Sequence, residues 1–390
     1  MRINFHGRLV DEPQIRAATI GCGSHSFRNI YPAFQFTPVD LVATCDLAAD
    51  RAAAFARKFG AQSSYTDYRE MIERERPDAV FVCVGYDKLG RPQYPRIAAE
   101  CLKLGVNVWI EKPPAATAEE VEMMMEAARK SGRIVMCGLK RMFFQMVTKA
   151  KKLIDDPEFG DPMLLMIQRE EQIPTMEELE SYWQGVPNRP SLAFLDHWCH
   201  PASQLLYFFG MPQRMVYHRA RSGAGVVTFE YDNGRVASMA FTRGGSGVAG
   251  GVERQTIVGT KCRTVVIENC RVYCFQGPAP DKGAARKGYG ENDNYFTGEI
   301  GTTTALWEPE FQLGQLYSKG LFLLGYYDEV KEFAQAVLDK RQPSRGTLEQ
   351  CWQLTHMFQK FSEGPGRMIE LARGPAARAS VRPREAVAVK

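Results

Sequence analysis

The chain has 390 residues, 45% of them hydrophobic and 24% charged, with a formal net charge of +4. That length suffices for two domains with real cores, and so near a balance of charge calls for neither nucleic acid nor an acidic partner. No apolar run reaches membrane-spanning length, Met1 to Pro13 lacks the apolar core of a secretion signal, and ten cysteines occur without a CxxC pair or metal-ligand spacing. The expectation is a cytoplasmic protein with buried, reduced thiols, no metal and no membrane or nucleic-acid partner.

Residues 14–137 alternate strand and helix. The apolar run Ile15 to Ile20 reads as one buried strand. Gly21-Cys22-Gly23-Ser24-His25-Ser26 follows, and then a helix-compatible segment to Phe34. Glycines so spaced suit a dinucleotide loop: one tolerates unusual backbone angles and the other lets a pyrophosphate approach the N–H groups that open the helix. Ser26 stands where a third glycine is usual, and its small side chain still lets helix pack on strand. A second strand ends in Asp46, about twenty residues on. A carboxylate there can bind both ribose hydroxyls of an adenosine and repel a 2′-phosphate, which favours NAD over NADP. The plainer reading, compatible with the first, is that Asp46 caps the helix beginning near Ala48.

Helices are expected at 48–59, 68–75, 94–104 and 117–130, the last opened by the capping box Thr117/Glu120. Strands are expected at 79–84, 106–110 and 133–138. This rhythm implies a doubly wound parallel sheet of Rossmann type. After Gly138 the pattern changes. A helix at 145–153 and a strand at 163–170 precede helical periodicity over 191–209, in which Pro201 predicts a kink or a helix start. Strand-like runs follow in series at 214–220, 225–231, 236–242, 254–258, 263–267 and 271–275, with Asp232-Asn233-Gly234 as a hairpin turn. Residues 277–308 read as a polar loop, and 325–339 and 347–361 as helices. The fold class is therefore α/β: a Rossmann domain over 1–137, an α+β domain with a large, mainly antiparallel sheet over 138–372, and a basic, disordered tail over 373–390.

The strand expected at 106–110 ends in Glu111-Lys112-Pro113-Pro114. Ligands of open α/β sheets sit outside the carboxyl ends of the strands, so Lys112 projects where a nicotinamide would lie. Its ammonium can bind a substrate hydroxyl and lower that group's pKa; a surface lysine is the bland reading. The residues expected to hold the cofactor are Gly21, Gly23, Ser24, His25, Asp46, Val84, Glu111 and Lys112. In Asp196-His197-Trp198-Cys199-His200, Asp196 and His200 share one face if the segment is helical. A histidine beside a carboxylate can take a proton near neutral pH, and the alternative is a satisfied structural hydrogen bond. Two histidines and an acid without a fourth ligand do not make a metal site. Tyr182 and Trp183, in what reads as a loop, can stack on a sugar ring or pack as core aromatics.

The order of glycine loop, Asp46, Glu111-Lys112-Pro113 and Asp196-x-x-x-His200 resembles the Gfo/Idh/MocA oxidoreductase family over residues 14–361. The resemblance implies NAD-dependent hydride transfer at a carbinol or ketone carbon of a sugar, sugar derivative or cyclitol. It implies Lys112, Asp196 and His200 as catalytic residues, with His200 the general base, Lys112 stabilising the alkoxide and Asp196 orienting substrate or histidine. Arg141, in Gly138-Leu139-Lys140-Arg141, joins Lys112, Trp183, Asp196, His197 and His200 as the substrate-binding set. The large sheet implies a homodimer or homotetramer. The sequence departs from the family pattern at Ser26, at Tyr94, where a histidine is common, and at Pro190-Ser191-Leu192-Ala193-Phe194, where glycines are. A redox-neutral NAD-dependent glycosidase or lyase of the same fold is the alternative, and a non-catalytic NAD or sugar sensor a further one.

Overall fold

The computed structural model describes residues 12–187, 189–243, 251–261, 263–276, 303–309, 319–371 and 374. The first sheet takes β1 (Ile15–Ile20), β2 (Val39–Cys45), β3 (Ser63–Tyr65), β4 (Ala79–Val82), β5 (Asn107–Ile110) and β6 (Val135–Cys137), in the order β3-β2-β1-β4-β5-β6. All five pairings are parallel. β4 and β5 are buried at every position, because helices cover both faces. Those helices are α1 (Ala49–Phe59), α2 (Tyr68–Glu75), α3 (Tyr94–Lys103) and α4 (Ala118–Ser131). The capping box Thr117/Glu120 opens α4, and Gly132 in the left-handed region ends it.

The segment after β1 is not the regular helix its composition suggests. Ser26–Ile30 is a π-helical turn, and Tyr31–Phe36 is 3₁₀. Pro32 has no N–H to carry an α-helical ladder through that point. Aromatic packing fixes the irregular stretch: Tyr31 lies 5.1 Å from Phe55 and 4.8 Å from Phe59, ring centre to ring centre.

The second sheet takes β7 (Pro162–Arg169), β8 (Arg214–Arg219), β9 (Gly225–Glu230), β10 (Val236–Phe241), β11 (Arg254–Gly259), β12 (Arg263–Glu268), β13 (Arg271–Gln276), β14 (Thr303–Trp307) and β15 (Ile369–Glu370). Its order is β14-β13-β12-β11-β7-β10-β9-β8-β15, antiparallel throughout except for the parallel pair β7–β10. β14 corrects the expectation of an unbroken loop over 277–308; its run of five residues is too short to stand out from polar surroundings. The expected tail 373–390 lies outside the described residues, apart from position 374.

The remaining helices are α5 (Gln145–Ile154), α6 (Met176–Trp183), α7 (Arg189–Phe209), α8 (Lys319–Leu323), α9 (Tyr326–Leu338) and α10 (Leu348–Lys360). α6 replaces the expected loop around Tyr182 and Trp183. Its capping box, Thr175 with Glu178, was the signal that could have found it. α7 runs unbroken through Pro201, so the helix does not start there. The carbonyl that a proline frees lies four residues back, here on His197. α9 and α10 return to the first domain. Phe333 packs edge-on against Phe81 at 5.2 Å, and Trp352 Nε1 donates to Glu122 at 2.8 Å. The carboxyl ends of β1, β4 and β5 therefore face α7 across the junction of the two domains. No disulfide joins the described cysteines, and no described helix is long and apolar enough to cross a membrane.

Candidate active site

Two adjoining cavities open at the carboxyl ends of the parallel strands. One, of about 400 Å³, runs from Gly21 and Gly23 to Asp46, Arg51 and Arg96. The other, of about 310 Å³, is bounded by Ser24, His25, Glu111, Lys112, Tyr86 and Asp196. They share Gly23, Cys83, Val84 and Gly85. All of the residues expected to hold the cofactor line one or the other.

The loop is built as its glycines require. Gly21 has φ +105°, and a Cβ there would stand 2.1 Å from the Cys83 carbonyl oxygen. Gly23 has open space where a Cβ would be, so its backbone is exposed to the cavity. The Ser26 hydroxyl donates to the Gly21 carbonyl at 3.1 Å. The serine thus braces the turn, a bond no glycine could make. Asp46 accepts from the Cys22 N–H and the Ala48 N–H, both at 2.9 Å, and lies 3.6 Å from Arg51. It braces the turn that leads into α1, whose N-cap is Ala48 with no side-chain cap, and it borders the cavity.

Lys112 follows β5. The backbone is fixed there: the Glu111 N–H donates to Val82, and the Lys112 N–H donates to the Glu111 carboxylate. The Lys112 ammonium donates to Asp196 Oδ1 at 2.8 Å, and the Tyr86 hydroxyl donates to that same oxygen at 2.7 Å. Burial works against the Lys112 charge, yet Asp196 and Glu111 outweigh it and hold its pKa above the ordinary lysine value. Burial likewise works against the Asp196 charge, and Lys112 and Tyr86 outweigh that, holding the carboxyl below its usual range. Burial and Asp196 push the Tyr86 hydroxyl up. At neutral pH this is an ammonium, a carboxylate and a phenol.

Asp196 therefore serves Lys112 and Tyr86, and no described bond joins it to His200. His200 sits one turn further along α7. Burial, then the charges of Lys112, Arg141, Arg169 and Lys140, hold its pKa well below the ordinary histidine value, so the ring is neutral. His197 binds Glu171 through Nδ1, and its Nε2 lies 3.8 Å from Asp196 Oδ2. Arg141 is spent on an ion pair with Glu253, which Arg169 shares, and stacks on Phe144. Trp183 packs at 5.6 Å from Phe358 and donates to the Ser362 hydroxyl at 2.6 Å. It is held as a packing residue of α6, away from the two cavities. Tyr86 was missed. It lies in the loop after β4, where a lone tyrosine between Gly85 and Asp87 carries no local signal, and its partner is 110 positions away.

Residues 15–139 match the model of an oxidoreductase family with an NAD-binding Rossmann fold, and residues 147–265 match that of the GFO/IDH/MocA C-terminal domain. The chain belongs to the Gfo/Idh/MocA oxidoreductase family. Among curated family members, it is 28% identical to inositol 2-dehydrogenase of Salmonella typhimurium over 39% of this chain and 44% of that one. It is 33% identical to D-glucoside 3-dehydrogenase of Escherichia coli over 31% of this chain and 33% of that one. The chain thus spans less than half the length of either relative. Among solved structures, a dehydrogenase from Chromobacterium violaceum superposes with a TM-score of 0.72 at 18% identity, covering 91% of this chain and 96% of that one. A myo-inositol 2-dehydrogenase from Lactobacillus plantarum gives 0.65 at 20% identity, covering 93% and 100%. These likenesses show the fold. The family's NAD fits the residues present: Gly23 opens its backbone to the cavity, and Asp46 presents a fixed carboxylate at the adenosine end.

Proposed function

We propose that this chain is an NAD-dependent dehydrogenase acting on a carbinol or ketone carbon of a sugar, sugar derivative or cyclitol. The observation that carries this reading is the convergence of Lys112 and Tyr86 on Asp196 at the mouth of the cavity that continues the dinucleotide loop. Bound NAD supplies the hydride acceptor at its nicotinamide ring. The chain's own residues bind and polarise the substrate. The Lys112 ammonium donates to the reacting oxygen and stabilises its developing negative charge. Asp196 holds that ammonium charged and aimed. His200, kept neutral, offers a hydrogen-bond acceptor to a substrate hydroxyl one turn along α7. Its surroundings disfavour the imidazolium, so we assign the departing proton to the Lys112–Asp196 pair and not to His200.

The outer face of the second sheet presents Met166, Val226, Val236, Phe275 and Leu306 to solvent. An apolar face of that kind supports pairing of two copies through this sheet, which light scattering of the purified protein tests. The lack of disulfides among the described cysteines suits a reducing cytoplasm.

The decisive experiment is a panel of sugars, cyclitols and glycosides with purified protein and NAD, following NADH absorbance and product together. Stoichiometric NADH with an oxidised product supports the dehydrogenase. Turnover of a glycoside or an elimination product without net NADH moves the assignment to the redox-neutral alternative.

A further inference from the structure

Oxidation of an alcohol releases one proton for every hydride removed, and here that proton must leave a centre roofed by two domains. Three routes border Lys112. The first is Glu111, whose carboxylate pairs with His25 at 2.8 Å. Glu111 binds the backbone N–H of Lys112, however, and no described bond joins it to the ammonium. His25 is also part of the dinucleotide loop and lies in the cofactor cavity. The second is His200, whose ring has no described bond to Asp196 and sits among cations.

The third is Asp196 itself. Its Oδ1 holds both Lys112 and Tyr86, which leaves Oδ2 facing His197 Nε2 at 3.8 Å. The His197 side chain is 47% exposed and reaches solvent. Its other nitrogen binds Glu171, and Glu171 is itself fixed, accepting the Gln172 N–H at 3.0 Å. The imidazole therefore has one nitrogen toward the Lys112–Asp196 centre and the other anchored at the surface by a second carboxylate. A ring with an acid on each side is arranged to take a proton at one nitrogen and give one up at the other.

We propose that His197 is the proton exit of this site, relaying the substrate's proton from the Lys112–Asp196 pair to solvent. This rests on the dehydrogenase reading above. The substrate O–H bond breaks as its C–H hydride passes to the cofactor and the carbonyl forms. The Lys112 ammonium passes a proton to Asp196 Oδ1, and the amine so formed takes the substrate's proton. Asp196 passes its proton to His197 Nε2, through a water or a small rotation of the ring across the 3.8 Å gap. His197 then loses a proton on the Glu171 side to bulk water. Lys112 and Asp196 end as they began, His197 ends as its other neutral tautomer and returns to the first by proton exchange with water, and the substrate has lost one hydride and one proton. His197 acts through Asp196 and is a positioning and relay residue, not one that touches substrate.

The test uses the full chain with NAD and the best polyol of the panel, in weak buffer, with NADH absorbance and a pH indicator read together by stopped flow. His197→Gln should slow joint appearance of NADH and protons about tenfold, at the low end of what positioned proton transfer contributes. Added imidazole should restore the rate in proportion to its concentration, and sodium chloride of equal ionic strength should not. NAD affinity and melting temperature should stay at wild-type values, since His197 is half exposed. Glu171→Gln should show a smaller loss with the same rescue. Wild-type rates in His197→Gln, or a loss that imidazole does not restore, overturn the proposal. So does a loss rescued by imidazole in His25→Gln and absent in His197→Gln, which would place the exit beside Glu111. Absence of NADH from the wild-type chain overturns the dehydrogenase reading and this inference with it, and is recognised because it precedes any variant.

Discussion

Lys112 Nζ lies 2.8 Å from Asp196 Oδ1, across 84 positions of sequence and across the junction of the two domains. The pair ties the two domains together and, in the proposed reading, holds the reacting ammonium. Asp196→Asn should leave the ammonium buried without its counter-charge, so turnover should fall and Lys112 should become more readily neutralised. Stability should drop by roughly 1–3 kcal/mol, less than for a fully buried pair because both side chains retain some exposure to water. The sign with pH follows from the depressed Asp196 pKa. Its contribution is fully present above the unfolded carboxyl value and is lost as pH falls through the lower folded value. Melting curves of wild type and variant should therefore converge in acid and separate toward neutral pH.

Tyr86→Phe removes one donor from the ionised form of Asp196 and keeps the ring. The Asp196 pKa should rise, and the acid limb of the rate profile should move to higher pH. The maximal rate should fall modestly, with NAD affinity unchanged. Carboxyl-labelled aspartate, assigned with Asp196→Asn, reads the same shift by carbon NMR without any substrate. An unmoved carboxyl signal would reduce the phenol to a packing contact.

At the adenosine end, Asp46 stands 3.6 Å from Arg51, in a cavity that Arg96 also lines. In the proposed reading the carboxylate disfavours a 2′-phosphate by its own charge and by engaging that guanidinium. Asp46→Ser should therefore weaken NAD and strengthen NADP, each by about tenfold, the 1.4 kcal/mol scale of one charge-assisted hydrogen bond. Adding Arg51→Ala should cancel the NADP gain. Calorimetric titration with both cofactors checks this without turnover.

The parts of this site legible in the sequence are those fixed by local backbone chemistry. Gly21 marks a turn that only a residue without a side chain can make, Gly23 leaves its backbone open to the cavity, Asp46 follows a strand, and Lys112 is pinned ahead of Pro113 and Pro114. The parallel and antiparallel sheets were legible for the same reason, since strand length and the turn at Asn233-Gly234 are local signals. Partnerships were not. Nothing near Asp196 says that Lys112 and Tyr86, not His200, will hold it, because that choice is made by docking one domain on the other. Pro201 argued for a break that a helix anchored along its length absorbs. Trp183 looked like a sugar platform because an aromatic pair does not disclose which face is covered; Phe358 and Ser362 cover this one.

Glu329, on α9, is fully buried, and neither carboxyl oxygen has a hydrogen-bond partner among the described residues. Burial, then the charge of Glu111, push its pKa well above the ordinary value, against the weaker pull of Lys140. Lys140 is itself pushed down to about 8 by burial and by Arg141. A carboxyl whose folded pKa is raised binds its proton more tightly in the native state, so it costs nothing below the unfolded value of about 4.3 and costs progressively more as pH climbs above it. Glu329→Gln, which cannot ionise, should therefore raise stability by about 1–3 kcal/mol at neutral pH and leave it unchanged near pH 4. Melting temperatures of wild type and variant from pH 4 to 8 check this. A variant that melts lower at neutral pH would mean that Glu329 is ionised against Lys140 and that the carboxylate stabilises the fold.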